Sequence, residues 1–122
     1  MERIVFQKLI EWKDSTNRKP LILNGARQVG KTWLLEQLGD RYFDKVAYLV
    51  CRKNQALKDV FSQDFDTDRI LRALRALSGV DITPGDTLIV LDEVQDIPEA
   101  IESLKYFCED APEYHIAVAG SL

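Results

Sequence analysis

The sequence predicts an α/β domain with a mostly parallel sheet. Short apolar runs with the composition of buried strands alternate along the chain with segments whose apolar residues recur at helical spacing. A glycine-rich stretch also lies where the first strand should turn into the following helix, as in many parallel α/β units. With 122 residues, the chain is expected to form one domain with its own core.

Four strands are predicted from short runs of β-branched and aliphatic residues that are bounded by turn residues. They cover residues 21–23, 46–50, 88–91 and 115–119. Helical periodicity of the apolar residues predicts the helices between them. These cover residues 3–12, 33–38, 54–61, 69–77 and 100–107.

The ends of the helices are predicted from capping residues. We expect Gly39 to end the second helix and Gly79 to end the fourth, because glycine suits the residue after a helix. Asp68 is expected to cap the start of the fourth helix. Asp96 is expected to cap the fifth, with Pro98 in its first turn.

Composition limits the class of protein. Apolar residues make up 46% of the chain and charged residues 30%, and no apolar run is long enough for a transmembrane helix. The formal net charge of −4 offers no general attraction for nucleic acid, although a local basic patch remains open. Cys51 and Cys108 form no C-x-x-C pair and His115 is the only histidine, so a metal centre, a disulfide or a histidine-based triad has little support. The chain begins without the pattern of a secretory signal, and we expect a reduced, cytoplasmic protein.

One stretch of eight residues fits G-x-x-x-x-G-K-[ST], the phosphate-binding (Walker A) loop of nucleoside triphosphatases. It consists of Gly25, Ala26, Arg27, Gln28, Val29, Gly30, Lys31 and Thr32. The glycines allow a tight turn whose backbone N–H groups surround phosphate oxygens at the start of a helix. Lys31 is predicted to bind the β- and γ-phosphates, and the Thr32 hydroxyl to bind Mg²⁺. Trp33 follows and is grouped with these nucleotide-binding residues, although packing explains it better than stacking on adenine.

Two carboxylates follow the strand predicted over residues 88–91. They are Asp92 and Glu93. Parallel α/β sheets bind their ligands at the carboxyl ends of the strands, and Mg²⁺ prefers oxygen ligands. Asp92 is therefore predicted to take the Walker B role and to hold magnesium, through a bound water, together with Thr32. Glu93 is predicted to orient and deprotonate the water that attacks the γ-phosphate. No N-K-x-D motif follows, so adenine is expected rather than guanine.

Three motifs in this order resemble those of a family of prokaryotic AAA-type ATPases. They are GARQVGKT at 25–32, LDEVQ at 91–95 and AGSL at 119–122, the last with Ala119 where that family often has threonine. The resemblance implies a three-layer P-loop NTPase fold that binds ATP with Mg²⁺. It also implies that Ser121 is the sensor-1 residue, which contacts the γ-phosphate or the attacking water, while an ordinary serine at a strand end fits equally well.

The same resemblance implies the sheet order 5-1-4-3-2, of which the predicted strands supply 1-4-3-2 with strand 5 missing. We therefore interpret residues 1–122 as the N-terminal part of one AAA-type ATPase domain. A helical lid and a C-terminal domain, through which nucleic acid could bind, would also be missing. The strand over residues 21–23 would lie at the sheet edge, where it would favour a homo-oligomer or an edge-strand dimer unless the N-terminal helix covers it.

Two functions fit these residues. The first is hydrolysis of ATP to ADP and phosphate, with Lys31, Glu93 and Ser121 as catalytic residues. The alternative is a nucleotide-dependent switch that controls a DNA or protein partner with little turnover. A phosphotransferase is less favoured, since it needs no water-activating carboxylate. Without its lid, the isolated chain is expected to hydrolyse ATP weakly or not at all.

Several other residues have weaker claims. Arg27 and Gln28 could reach phosphate, but they could also form surface contacts. Gln95 could touch the attacking water or hold the loop that follows Glu93. A basic stripe on the fourth helix fits a solvated face better than contact with nucleic acid or with a neighbouring subunit's ATP. It consists of Arg69, Arg72 and Arg75.

Overall fold

The structure, a computed structural model, describes residues 2–15, 19–24 and 29–121, and for residues 2–6, 24 and 29–32 it describes the backbone only. The helices within these residues are α1 (Glu2–Asp14), α2 (Val29–Tyr42), α3 (Gln55–Gln63), α4 (Thr67–Ser78) and α5 (Pro98–Asp110). The strands are β1 (Leu21–Asn24), β2 (Lys45–Val50), β3 (Thr87–Asp92) and β4 (His115–Gly120). A short 3-10 turn, Val94–Asp96, lies between β3 and α5. In the part of the chain so described, no helix has the length and apolar character needed to cross a membrane.

The four strands form one parallel sheet in the order β1-β4-β3-β2, which confirms the predicted fold class and strand order. The strands also end together, since Asn24 is paired with Gly120 and Val50 with Asp92. Because β4 lies between β1 and β3, the loop after β1 starts beside the end of β4. The end of β3 lies on the other side of β4. This carboxyl edge is where parallel α/β sheets bind ligands.

Helices cover both faces of the sheet. Successive residues of a strand point to opposite sides, so Ile89 and Leu91 of β3 join the core under α3, α4 and α5. Leu88 and Val90 join the core under α1 and α2. The middle strands are buried on both faces, which explains why their sequences are continuously apolar rather than alternating.

Gly39 does not end α2, so that prediction is wrong. The helix continues to Tyr42, and Gly39 is buried within it. A Cβ atom at position 39 would overlap the Cγ2 atom of Val46. The glycine therefore allows α2 to pack closely on β2, a need that arises from the tertiary structure and not from the helix end.

Two helix caps also differ from prediction. Asp66 rather than Asp68 caps α4, and its side chain accepts a hydrogen bond from the N–H group of Asp68 at 3.1 Å. Asp96 belongs to the 3-10 turn, so Ile97 occupies the cap position of α5. Gly79 ends α4 in the left-handed conformation, as predicted, with φ of 70°.

The end of α1 is attached to the middle of the sheet through His115. The Nε2 atom of His115 lies 3.0 Å from the carbonyl oxygen of Lys13. Its ring meets those of Trp12 and Phe43 edge to face, with centroids 5.5 and 5.0 Å away.

Strand β1 pairs with β4 and forms an edge of the described sheet. Ile22 on this strand is 49% exposed.

Candidate active site

The predicted phosphate-binding loop lies between β1 and α2. Gly25 to Gln28 fall outside the described residues, and Val29 to Thr32 form the first turn of α2 without described side chains. The gap between the end of β1 and the start of α2 is short, so α2 must begin near the carboxyl edge of the sheet. The strand–loop–helix context that the motif requires is therefore present. The first N–H groups of such a helix are free to bind an anion.

Asp92 and Glu93 lie where the sequence predicts them, at the carboxyl end of β3. Glu93 has left-handed backbone angles, with φ of 53° and ψ of 44°. This conformation costs a residue other than glycine about 1 kcal/mol or more, and it persists only where the surroundings hold it. One such restraint is the Asp92 carboxylate, whose Oδ1 accepts a hydrogen bond from the Glu93 N–H group at 2.8 Å.

Gln95 joins Glu93 to the end of β4. Its Nε2 atom donates a hydrogen bond to Glu93 Oε1 at 2.9 Å. Its Oε1 atom accepts one from the backbone N–H group of Ser121 at 3.1 Å. The structure thus connects the predicted base with the predicted sensor residue, and Gln95 holds the loop after Glu93.

Two further residues at this edge carry no motif signal. Arg52 is the second residue after β2, and its Nη2 atom lies 3.4 Å from Glu93 Oε1. The Tyr48 hydroxyl donates a hydrogen bond to Asp92 Oδ2. Both contacts follow from the parallel pairing of β2 with β3, which aligns Val50 with Asp92. The predicted strand order was therefore the signal that could have identified them.

Cys51 lies beneath this cluster with 2% exposure. Burial, followed by the nearby carboxylates of Asp96, Asp92 and Glu93, raises the pKa of its thiol to about 12. The thiol is therefore protonated at neutral pH. Its backbone N–H group donates a 2.8 Å hydrogen bond to the Asp92 carbonyl oxygen, which connects the β2 turn to the end of β3.

The acidic end of β3 fits a magnesium ion of the kind that keeps several waters. From the residues that the structure describes, each carboxylate oxygen of Asp92 accepts one hydrogen bond, which leaves a lone pair for a further ligand. Magnesium is commonly bound by one or two carboxylates together with waters and substrate phosphates. Among the described side chains, no group of three or more His, Cys, Asp or Glu residues could hold a metal alone. The predicted second ligand, Thr32, has its side chain outside the description.

The structure also describes the side chains of Trp33 and of the basic stripe on α4. Trp33 lies in the first half of α2 and is 44% exposed. In the basic stripe, Arg69 donates to Asp64 at 2.8 Å and Arg75 donates to the Ile82 carbonyl at 3.0 Å. These bonds favour a structural role for both arginines.

The chain matches a known protein family. A family model described as an AAA domain matches residues 17–122. That range contains the predicted phosphate loop, Asp92, Glu93 and Ser121, and all four strands of the sheet. No curated protein shows a significant match to the sequence.

Proposed function

Because the chain belongs to the AAA domain family of nucleotide-binding, ATPase-like modules, we propose that it binds ATP with Mg²⁺ and hydrolyses it to ADP and phosphate. The observation that carries this proposal is the connection of Glu93 to Ser121 through Gln95. Ser121 follows the strand that neighbours the predicted phosphate loop, so the connection directs a carboxylate toward the phosphate side of the sheet. Hydrolysis requires a group that activates water, whereas phosphate transfer to a small substrate does not.

Nucleotide binding is assigned to the loop and to the end of β3. The N–H groups at the start of α2 and the Lys31 ammonium would stabilise the phosphate charge. Thr32 and Asp92 would hold Mg²⁺, which when bound offsets negative charge on the phosphates. Tyr48 fixes the orientation of the Asp92 carboxylate through its hydroxyl group.

Water activation is assigned to Glu93. Its side chain is 29% exposed, so it can reach solvent. Its described contacts with Gln95 and Arg52 both involve Oε1, which leaves Oε2 to accept a hydrogen bond from water and to take its proton. Ser121, exposed at the end of β4, would contact the γ-phosphate or the same water.

A Glu93→Gln substitution tests this assignment. The amide keeps the shape of the side chain but cannot accept the proton, so ATP binding should persist while phosphate release falls about 100-fold or more. Glu102→Gln, on the exposed side of α5, is the matched control and should hydrolyse ATP normally. Undiminished phosphate release by the Glu93 variant would remove it from this role.

The ion pair between Arg52 and Glu93 supports a second candidate function. It engages the proposed base, as expected of a module that binds nucleotide and turns it over slowly. In that case nucleotide occupancy would control a partner, either DNA or another protein. Self-association would use β1, which forms an edge of the described sheet. Phosphate release by the wild-type protein with and without DNA separates the candidates. Strong stimulation by DNA would favour a nucleic-acid motor, and ATP binding without turnover in either condition would favour the switch.

A further inference from the structure

The Gln95 side chain donates one hydrogen bond and accepts another. A carboxylate can only accept hydrogen bonds, and a backbone N–H group can only donate one. A group that connects the two must therefore donate at one end and accept at the other, which an amide does. Gln95 donates to Glu93 Oε1 at 2.9 Å and accepts from the Ser121 N–H group at 3.1 Å. Glutamate, lysine or leucine at this position could not make both bonds.

The backbone around Gln95 is held in place. Glu93 turns the chain through a left-handed conformation, and a 3-10 turn begins at the next residue. Val94 and Ile97 are fully or almost fully buried in the core under α3, α4 and α5. Val94 and Ile97 lie on either side of Gln95, so the backbone that carries the Gln95 side chain is fixed by their burial.

Gly120 provides the space that this connection needs. A Cβ atom at position 120 would overlap the Oε1 atom of Gln95 and would lie 3.1 Å from the Val94 nitrogen. The φ angle of Gly120 is not in the left-handed region, so backbone conformation alone does not require glycine there. The requirement comes from the close approach of the Gln95 amide to β4.

From these contacts we propose that Gln95 is a positioning residue that couples the orientation of the Glu93 carboxylate to the carboxyl end of β4. The proposal rests on the hydrolytic role proposed for Glu93. Gly120 is paired with Asn24, the last residue before the predicted phosphate loop. A shift of β4 would therefore reach Glu93 through one side chain.

The first test separates the two bonds with Gln95→Ala and Gln95→Glu. The alanine variant loses both bonds, and its kcat should fall about tenfold while its KM stays within about twofold, because both ends of the Gln95 amide bind groups of the protein. The glutamate variant keeps an acceptor for the Ser121 N–H group but opposes one carboxylate with another. Gln63→Ala, an exposed glutamine at the end of α3, is the matched control.

The glutamate variant should lose at least as much kcat as Gln95→Ala, because its carboxylate cannot donate a hydrogen bond to Glu93 Oε1 and repels it. Its KM should also stay within about twofold of the wild-type value, which distinguishes positioning of Glu93 from a general loss of structure.

Amide hydrogen exchange at Ser121 tests the Gln95 bridge, that is, the two hydrogen bonds from Gln95 to Glu93 and Ser121. This measurement does not require ATP hydrolysis. The Ser121 N–H group should exchange about tenfold faster or more in Gln95→Ala than in the wild type, and it should remain protected in Gln95→Glu. If the wild-type protein does not hydrolyse ATP, the proposed function fails, and this exchange measurement then decides whether the bridge exists. Unchanged exchange at Ser121 in Gln95→Ala would overturn the inference.

A Gly120→Ala substitution tests the same two hydrogen bonds of Gln95 from the side of β4. Its Cβ atom should displace the Gln95 amide, so kcat should fall about as much as in Gln95→Ala. In the double variant Gln95→Ala/Gly120→Ala the amide is gone and only the tight contact with the Val94 nitrogen remains, so the combined loss should be smaller than the sum of the two single losses. Additive losses, or a kcat of Gln95→Ala equal to that of the wild type in a normally folded protein, would contradict the coupling.

Discussion

Two turns meet at the carboxyl edge of the sheet, and sequence reasoning identified only one of them. The acidic turn, residues 93–96, follows β3, and the basic turn, residues 52–53, follows β2. Each contains one residue other than glycine in the left-handed conformation, Glu93 with φ of 53° and Lys53 with φ of 51°. The Glu93 side chain is held by Gln95 and Arg52. The Lys53 side chain is exposed beside a cleft of about 290 Å³.

The same backbone conformation therefore has two uses. In the acidic turn it helps to place a functional carboxylate, so both the backbone and the side chain of Glu93 matter. In the basic turn it places the neighbours of Lys53. Asn54 on one side caps α3 by accepting a 3.0 Å hydrogen bond from the Leu57 N–H group. Arg52 on the other side reaches Glu93 at 3.4 Å and Asp96 at 3.8 Å.

Substitution of Lys53 tests this difference and has the largest expected effect. Lys53→Val should lower the free energy of unfolding by about 2 kcal/mol, because a β-branched residue is strained in the left-handed region. Lys53→Gly should keep or slightly raise stability, since glycine adopts this conformation freely. Urea unfolding measures both. Lys58→Val, which lines the same cleft from α3, controls for loss of the lysine side chain. Equal stability of the valine and glycine variants at position 53 would show that the backbone of this turn carries no strain.

Charge reversal in the basic turn has a smaller expected effect. Arg52→Glu replaces attraction to Glu93 and Asp96 by repulsion, and it should lower the free energy of unfolding by about 1 kcal/mol at low salt. Lys53→Glu makes the same charge change one residue away and should cost less. Chemical unfolding at low and high salt measures the difference, which should shrink as salt screens the charges. A loss at Lys53 equal to that at Arg52 would mean that net charge, and not the ion pairs, is responsible.

The architecture was predictable because it depends on local patterns. Apolar runs such as residues 88–91 are long enough to identify buried strands, and the Gly79 end of α4 follows from glycine's backbone freedom. Gly39 was misread because its role depends on Val46, which lies on β2. Asp66 was missed as a cap because two aspartates, Asp66 and Asp68, are both suitable and their hydrogen bonds decide between them.

The site was predictable only where a motif exists. Asp92 and Glu93 combine a strand end with two carboxylates, which is a recognisable pattern. Arg52 and Tyr48 reach them across paired strands, so their part depends on register and on side-chain direction. The link from Gln95 to Ser121 likewise joins distant segments of the chain, and no spacing in the sequence indicates it.

The last prediction concerns Cys51, which lies between the two turns. The unfolded chain releases the thiol proton near the ordinary pKa of 9.0, whereas burial and then the surrounding carboxylates raise the pKa to about 12 in the folded protein. Between these values the folded state holds more protons, so its stability must fall as the pH rises. The loss due to Cys51 should be about 0.8 kcal/mol at pH 9.5 relative to pH 8. Cys51→Ala should lose this part of the decline in chemical unfolding, and Cys108→Ala, which keeps Cys51, should retain it. The same slope in Cys51→Ala as in the wild type would mean that the thiol ionises equally easily in both states, and that the two turns do not enclose it.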